Sequence, residues 1–169
     1  RDLAREVTPR EPLVLAPLGE GPAGADGPTF AVIDTGVKAS IVLGLRMRGA
    51  TVALHPCTTS AQELLAGDPD AIFLANGPGD PAALDHVVAT LRDLVGRKPV
   101  YGICLGHQLL CRAVGLETYK LPFGHRGGNH PVKDLHTGRI EITSQNHGFA
   151  VKAPDGTGTI ALDEPVRWQ

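Results

Sequence analysis

Cys104 is the residue whose surroundings in the sequence are most typical of a catalytic nucleophile. It lies in the segment Gly102-Ile-Cys-Leu-Gly106, after a short apolar run and before a helical pattern. This is the arrangement of a nucleophile elbow, in which small residues on either side permit the sharp turn that presents the nucleophile. The first turn of a helix also favours the reactive thiolate, because the helix dipole is positive there. The alternative, a buried cysteine between two unrelated glycines, does not account for the strand before it and the helix after it.

The other two cysteines, Cys57 and Cys111, have no comparable surroundings, and we expect both to be packing residues. Three cysteines without a C-x-x-C spacing fit neither a disulfide framework nor a zinc site. We therefore predict no metal site in this chain, and Cys104 as its reactive thiol.

A second motif, Asn76-Gly-Pro-Gly-Asp-Pro81, follows another apolar run and opens another predicted helix. Backbone N–H groups in such a turn suit an anion or the oxyanion of a reaction intermediate. The glycine spacing matches neither a dinucleotide-binding fingerprint nor a P-loop. A tight turn that only caps the helix is an equally good explanation of the motif taken alone.

Three further motifs are weaker. Asp34-Thr-Gly36 resembles an aspartic-protease loop, but it occurs once, and that chemistry requires two carboxylates. Residues 124–130 hold two histidines without a carboxylate or cysteine, so a glycine-rich loop is favoured over a metal site. Residues 146–149 form a polar-then-aromatic segment that we interpret as a compact turn, and its spacing assigns no function.

The elements that must position these motifs alternate along the chain. Strand-length apolar runs cover residues 30–33, 51–54, 71–74 and 100–103, and helical patterns cover residues 37–48, 60–66, 82–95 and 105–114. Strands that alternate with helices predict an α/β fold with an open, mostly parallel sheet and helices on both faces. Continuous apolarity indicates strands that are buried on both sides. Ligands bind beyond the carboxyl ends of such strands, which places the chemistry after Ile33, Leu74 and Ile103.

The remaining segments are less regular. Residues 1–28 are rich in proline and glycine, a composition that we expect to sustain neither a helix nor an interior strand, and we interpret them as a linker from a preceding domain. After Gly115 the pattern weakens into a loop at residues 123–131 and an alternating strand at residues 139–143. The main domain is then residues 29–169.

Composition excludes several classes of protein. Sixteen Lys and Arg against eighteen Asp and Glu give a net charge of −2, which excludes a polybasic nucleic-acid arm. No apolar run approaches the roughly 18 residues of a membrane span, and the first residues lack the apolar core of a signal peptide. We expect a cytoplasmic protein that binds neither nucleic acid nor membrane. Because the chain does not begin with Met, we also expect a fragment.

Four motifs together resemble one family. They are Asn76-Gly-Pro-Gly-Asp-Pro81, Gly102-Ile-Cys-Leu-Gly-His-Gln-Leu-Leu110, Phe123-Gly-His-Arg-Gly-Gly-Asn-His-Pro131 and Ile142-Thr-Ser-Gln-Asn-His-Gly-Phe-Ala-Val151. The elbow is similar to that of the class I, triad-type glutamine amidotransferases, which have a flavodoxin-like fold. The set as a whole resembles the amidotransferase domain in the small, glutamine-hydrolysing subunit of carbamoyl-phosphate synthetase. The resemblance spans residues 30–151, and residues 3–9 are similar to the segment that joins this domain to an N-terminal one.

The resemblance implies hydrolysis of L-glutamine to glutamate and ammonia through a cysteinyl thioester on Cys104. It places the oxyanion hole at the backbone N–H groups of Leu105 and Gly79. The residues that it places around the substrate are Gly77, Gly79, Leu105, Gln108, Asn146, Gly148 and Phe149. The ammonia would pass to a large synthetase subunit for carbamoyl phosphate synthesis, in pyrimidine and arginine biosynthesis. No cofactor is expected in this chain, whereas ATP and Mg²⁺ are expected on that partner.

The sequence departs from the family pattern in its C-terminal part. The general base of the family and its orienting glutamate lie in a His-Pro-x-Glu stretch beyond the elbow, and this sequence has none. His107, His125, His130 and His147 all belong to motifs beside the family's base, so none replaces it. We therefore expect the C-terminal part of the domain to be missing and turnover to be impaired. Residues 152–169 do not align with the family.

Three functions stay open at this point. The first is a glutaminase subunit, and the second is a non-catalytic module that binds glutamine. The third is another cysteine-elbow hydrolase, such as an esterase. Gly106-His-Gln108 and the segment around Asn146 favour the first two.

Overall fold

A five-stranded sheet forms the centre of the protein in the computed structural model, which describes residues 1–19 and 27–152. Its strands lie in the order β1-β3-β2-β4-β5. They are β1 (Leu13–Leu15), β2 (Thr29–Asp34), β3 (Thr51–Pro56), β4 (Ala71–Leu74) and β5 (Val100–Gly102). Strands β2 to β5 are mutually parallel, and only the short edge strand β1 runs antiparallel to its neighbour. The prediction of an α/β fold with an open, mostly parallel sheet is confirmed.

Helices cover both faces of this sheet. They are α2 (Ala39–Arg46), α3 (Ala61–Ala66), α4 (Asp85–Leu94) and α5 (Leu105–Ala113). Apolar side chains of α3, α4 and α5 share one buried cluster with Ile33 and Leu74, whereas Val42 of α2 packs with Val32 on the opposite face. Successive residues of a strand point to opposite faces, which is why Val32 and Ile33 belong to different clusters.

Local signals account for most helix ends. Ser60 and Glu63 form the predicted capping box at α3. Asp80 caps the next segment through Ala82 N–H, but Pro81–Ala83 is a 3-10 turn and α4 begins only at Asp85. The single helix predicted over residues 82–95 is therefore wrong at its start. The prediction of burial on both sides also fails for β5, an edge strand whose Tyr101 is exposed.

The N-terminal residues are more ordered than their composition indicates. A one-turn helix, α1 (Ala4–Val7), precedes β1, and Ala4 is completely buried in the core. The expectation that this segment sustains no helix is wrong there, because tertiary burial compensates for weak local propensity. Part of the proline- and glycine-rich stretch, residues 20–26, lies outside the described residues, as does the tail from residue 153.

A long antiparallel hairpin follows α5. Its strands are β6 (Thr118–Lys133) and β7 (Ile140–Val151), with irregular pairing between Lys120 and His125 and between Gly127 and His130. The strand predicted at residues 139–143 is therefore present and longer. The loop predicted at residues 123–131 and the turn predicted at residues 146–149 are both wrong, because both segments lie in the paired strands, where His125 pairs with His147 and Arg126 with Asn146. Of the described helices, none is long and apolar enough to cross a membrane.

Candidate active site

Cys104 occupies a strained turn between β5 and α5. Its backbone angles are φ 55° and ψ −111°, a conformation that non-glycine residues rarely adopt. A Cβ on Gly102 would lie 2.6 Å from the Gly106 carbonyl carbon, and a Cβ on Gly106 would lie 2.4 Å from the Leu74 carbonyl oxygen. Both glycines are thus required for the backbone of α5 to cross so close to β4 and β5. The elbow predicted from the spacing is present.

The three thiols lie in different surroundings. Cys104 is exposed at the elbow, whereas Cys57 and Cys111 are buried. Burial raises the pKa of both Cys57 and Cys111, because a thiolate is poorly solvated in the interior. The two interior thiols are therefore poorly suited to act as nucleophiles, and Cys104 is the accessible one.

The loop after β4 is held by the loop after β2. The Thr35 hydroxyl donates to the carbonyl oxygens of Ala75 at 3.1 Å and of Asn76 at 3.2 Å. The Asn76 side chain accepts from Lys38 N–H at 2.9 Å and donates to the Gly36 carbonyl at 3.2 Å. A Cβ on Gly77 would lie 2.1 Å from the Thr35 carbonyl oxygen, so only glycine permits this approach of the two loops.

Asp34, the residue of the aspartic-protease-like motif, has a structural role in the same region. Its carboxylate accepts from the N–H groups of Gly36 at 2.8 Å and Val37 at 2.7 Å, which closes the turn that follows β2. Asp34 is buried, and the hydrogen bonds that its carboxylate accepts come from the backbone of its own turn. This arrangement is a turn, and the aspartic-protease interpretation is not supported.

Two residues that line the cavity beside Cys104 have backbone N–H groups without an acceptor among the described residues. Leu105 is the first residue of α5, so its N–H has no partner within the helix. Gly79 lies outside regular structure at φ +101°, and its N–H makes no hydrogen bond among the described residues. These are the donors that an oxyanion hole needs, and they come from the carboxyl ends of adjacent strands.

The hairpin supplies the remaining wall of the site. Gln108 is buried on α5, and its side-chain amide donates to the Phe149 carbonyl oxygen at 2.7 Å. The Cys104 Sγ lies 3.9 Å from the Asn146 carbonyl oxygen. Strand β7 is therefore fastened beside the elbow, which no local sequence pattern indicated.

One cavity of about 530 Å³ collects all the residues that the sequence analysis placed at the site. They are Gly77, Gly79, Cys104, Leu105, Gln108, Asn146, Gly148 and Phe149. Five residues absent from that prediction also line the cavity: Pro78, Asp80, Lys120, Arg126 and His147. Lys120 pairs with Phe149 and Arg126 with Asn146 across the hairpin, so recognising the two strands would have indicated both cations.

A histidine pair closes the hairpin side of the cavity. His147 Nδ1 lies 2.8 Å from the Phe149 carbonyl oxygen, and His147 Nε2 lies 3.2 Å from His125 Nδ1. Because the carbonyl can only accept, His147 donates from Nδ1. Both ring nitrogens of His147 are thus engaged within the hairpin. No group of three or more metal-binding side chains with suitable geometry occurs among residues 1–19 and 27–152.

Comparison with known sequences identifies the family. Residues 31–165 match the family described as Glutamine amidotransferase class-I. A carbamoyl phosphate synthase small chain from Syntrophotalea carbinolica is 47% identical over 169 aligned positions, covering 96% of this chain and 45% of that protein. The small chain from Akkermansia muciniphila is 56% identical over 122 positions, covering 72% of this chain and 33% of that protein. This chain therefore spans less than half the length of these relatives.

Comparison of structures agrees on the fold. A glutamine amidotransferase from Thermotoga maritima superposes with a TM-score of 0.58 at 16% identity, over 75% of this chain and 63% of that one. The elbow, the glycine loop and the parallel sheet that holds them thus occur together with a family match over most of the sequence. The chain belongs to the class I glutamine amidotransferase family.

Proposed function

We propose that this chain is the glutamine-hydrolysing domain of a carbamoyl phosphate synthase small chain. The observation that carries the proposal is the shared cavity, which an exposed cysteine at a strained elbow lines together with Leu105 and Gly79, whose backbone N–H groups have no partner among the described residues. An exposed thiol and an oxyanion site are the parts that acyl transfer requires. The relatives named above supply the assignment to carbamoyl phosphate synthase.

In the proposed reaction, the Cys104 thiolate attacks the side-chain amide carbon of glutamine and forms a C–S bond. The carbonyl oxygen becomes an oxyanion, which the N–H groups of Leu105 and Gly79 stabilise. The C–N bond then breaks, the nitrogen takes up a proton, and ammonia leaves a glutamyl thioester. Water hydrolyses the thioester to glutamate and restores the thiol, so that one hard step is divided into two easier ones.

Charge in the cavity favours a free amino acid as substrate. Lys120 and Arg126 line it, and neither belongs to an ion pair among the described residues. Asp80 is the acidic residue of the lining, and its carboxylate already caps the Pro81–Ala83 turn. We infer that the two cations attract the α-carboxylate of glutamine, while Gln108, Asn146, Gly148 and Phe149 surround the remainder of the molecule.

Proton transfer limits what the described residues achieve alone. The hydrogen bond that Cys104 Sγ makes among them is to the Asn146 carbonyl, not to a histidine, and both nitrogens of the cavity's His147 are engaged. Ammonia departs only if it is protonated, and a thioester needs an activated water. We propose that the 169-residue chain binds glutamine or is acylated by it poorly and does not turn over appreciably.

The proposed partner is a large synthetase subunit that consumes the ammonia. Carbamoyl phosphate synthesis then requires ATP and Mg²⁺, which we assign to that partner, and the product would serve pyrimidine and arginine biosynthesis in the cytoplasm. We further propose that residues 29–169 form the amidotransferase domain and that residues 1–28 join it to a preceding domain, although Ala4 and β1 of this segment pack as part of the same α/β unit.

Incubation with glutamine tests the proposal. Mass spectrometry of the intact chain should detect a thioester adduct on wild type, and Cys104→Ser, which is nearly isosteric, should show none while keeping its circular dichroism spectrum. Ammonia release should be slow, with and without the large subunit. Sustained release at rates typical of an enzyme would contradict the slow turnover and would require a base within this chain.

A non-catalytic glutamine-binding module is the second candidate. It is favoured because Cys104 Sγ has no hydrogen bond to a histidine among the described residues. It predicts glutamine binding by calorimetry with no adduct on Cys104. An esterase, by contrast, would cleave small esters and leave glutamine unchanged.

A further inference from the structure

We propose that Leu3 is a positioning residue for the Gly79 N–H, and that residues Asp2 to Thr8 form a strap that holds this loop in place. The inference rests on the proposed glutaminase function, because it concerns the oxyanion site of that reaction. It extends the function to a segment that lies outside the sheet and far from Cys104 in the sequence.

The strap is anchored at both ends to the α/β core. At its C-terminal end, the Thr8 hydroxyl donates to the Asp34 carbonyl oxygen at 2.7 Å and accepts from Cys57 N–H at 2.8 Å. Thr8 therefore joins the carboxyl ends of β2 and β3. At its N-terminal end, Asp2 caps Arg5 N–H at 3.1 Å and lies 3.7 Å from Nδ1 of His86 on α4.

Burial at the middle of the strap shows that these anchors hold it against the core. Ala4 is completely buried and packs in the same cluster as Leu84 and Leu105. The strap cannot swing away without exposing Ala4 and losing the two hydrogen bonds of Thr8. The strap is therefore a fixed part of the site's surroundings.

Leu3 is the residue through which the strap reaches the oxyanion loop. Its Cβ, Cδ1 and Cγ atoms lie 3.6, 3.7 and 3.8 Å from the position that a Cβ on Gly79 would occupy. The Gly79 loop is otherwise exposed at this point, and its φ of +101° is accessible mainly to glycine, a flexible residue. A loop of that kind needs an external contact to keep one N–H direction.

A second residue of the strap lies near the same loop. Val7 Cγ2 lies 3.1 Å, and Pro78 Cδ lies 2.9 Å, from the position of a Cβ on Gly36. Val7 and Pro78 therefore both lie beside Gly36. Neither Leu3 nor Val7 lines the cavity, so the strap approaches this loop from outside the site.

Removing the Leu3 side chain should leave the Gly79 N–H in place but allow its direction to vary. Loss of a whole oxyanion donor costs about 10²–10³-fold in rate, so loss of its positioning should cost about tenfold, short of that limit. Only reactions that pass through a carbonyl oxyanion should be affected. Simple alkylation of the thiol should not be.

Two probes of Cys104 separate these cases in the full 169-residue chain. The Cys104 thiolate adds to the carbonyl carbon of a chloromethyl ketone analogue of glutamine and gives an oxyanion. The sulfur then bonds to the adjacent CH₂ carbon as chloride leaves, while the first C–S bond breaks and the carbonyl is restored. Iodoacetamide forms its C–S bond by direct displacement of iodide, with no oxyanion. Labelling by each probe is followed by mass spectrometry for wild type, Leu3→Ala, Leu3→Met and Leu13→Ala. Leu13 is an exposed leucine on β1 and does not line the cavity.

We expect Leu3→Ala to lower the maximal labelling rate of the ketone about tenfold, with its half-saturating concentration and the iodoacetamide rate within about twofold of wild type. Leu3→Met should restore most of the rate, because it conserves volume, and Leu13→Ala should match wild type. An unchanged ketone rate, or an equal fall with both probes, would overturn the inference. A second outcome concerns the proposed function. If a chloromethyl ketone with a shorter side chain labels wild-type Cys104 as fast as the glutamine analogue does, the proposed glutaminase function is wrong.

Discussion

The α/β part of the molecule and the β6–β7 hairpin bury their apolar residues to very different extents. Ile33, Leu74 and Leu109 are at most 1% exposed, whereas Phe123 is 92% and Ile142 is 67% exposed in the hairpin. Both parts nevertheless contribute to one cavity. In the proposed reaction, the well-packed part holds the groups that react, namely Cys104 and the two N–H donors, and the hairpin holds groups that would contact the substrate.

This division follows from what each task requires. Reacting atoms must stay within a fraction of an ångström of a productive geometry, which a close-packed core provides. Recognition tolerates more movement, and a two-stranded hairpin alone is marginally stable. The hairpin depends on its attachment to the core through the Gln108 side chain, which donates to the Phe149 carbonyl oxygen at 2.7 Å.

A glycine-to-alanine substitution should have its largest effect in the α/β part and none in the hairpin. Gly106→Ala places a Cβ 2.4 Å from the Leu74 carbonyl oxygen, whereas a Cβ on Gly128 of the hairpin would meet nothing within 4 Å. We expect Gly106→Ala to displace α5 and lower Cys104 labelling by the ketone by about 10²-fold, since a shift near 1 Å has that cost. Gly128→Ala should leave it unchanged. Similar rates for the two variants would show that the core does not constrain the elbow.

A smaller effect is expected at the loop beside the elbow. Gly79→Ala meets no close backbone atom, but its φ of +101° strains any other residue, at a cost of about 1–3 kcal/mol. The loop should relax and misdirect its N–H, so that ketone labelling falls about tenfold or more while the thermal midpoint changes little. Ketone labelling at the wild-type rate would mean that another group stabilises the oxyanion.

Arg126→Gln tests whether the hairpin contributes to substrate binding. If its guanidinium attracts the α-carboxylate, the half-saturating concentration of the ketone should rise about fivefold, equivalent to about 1 kcal/mol for a solvent-exposed ion pair. The maximal labelling rate should not change. An analogue whose α-carboxylate is replaced by a carboxamide should be insensitive to the substitution. Arg139→Gln, also on an exposed part of the hairpin region but outside the cavity lining, is the matched control.

Acidic pH should lower the stability of the α/β part, because two of its histidines are half-buried. Burial is the main cause that lowers the pKa of His55 and of His86, and a ring nitrogen of each is buried without a partner. The unfolded chain therefore binds more protons below about pH 6.5, and the free energy of unfolding falls as the pH decreases from that value towards the folded pKa. Thermal melts between pH 7.5 and 5.5 should show a drop of a few degrees, reduced in His55→Gln. A midpoint that is constant over this range would contradict the effect of burial.

Local patterns in the sequence were sufficient for the part of the site that a strand and its following helix build together. Gly102, Cys104 and Gly106 specify the elbow because steric limits act within a few residues, and Ser60 with Glu63 specifies the start of α3 for the same reason. The family motifs then indicated which residues share the site, and the structure does place them around one cavity.

Tertiary contacts decided the rest. The glycine- and histidine-rich residues 123–131 have weak strand propensity, and they are extended because β7 supplies their hydrogen bonds. Lys120 and Arg126 face the cavity only as a result of that pairing. Likewise, α1 exists because Ala4 is buried and Thr8 bridges two strand ends. Partners distant in sequence determine these features, so no window of neighbouring residues contains the information that predicts them.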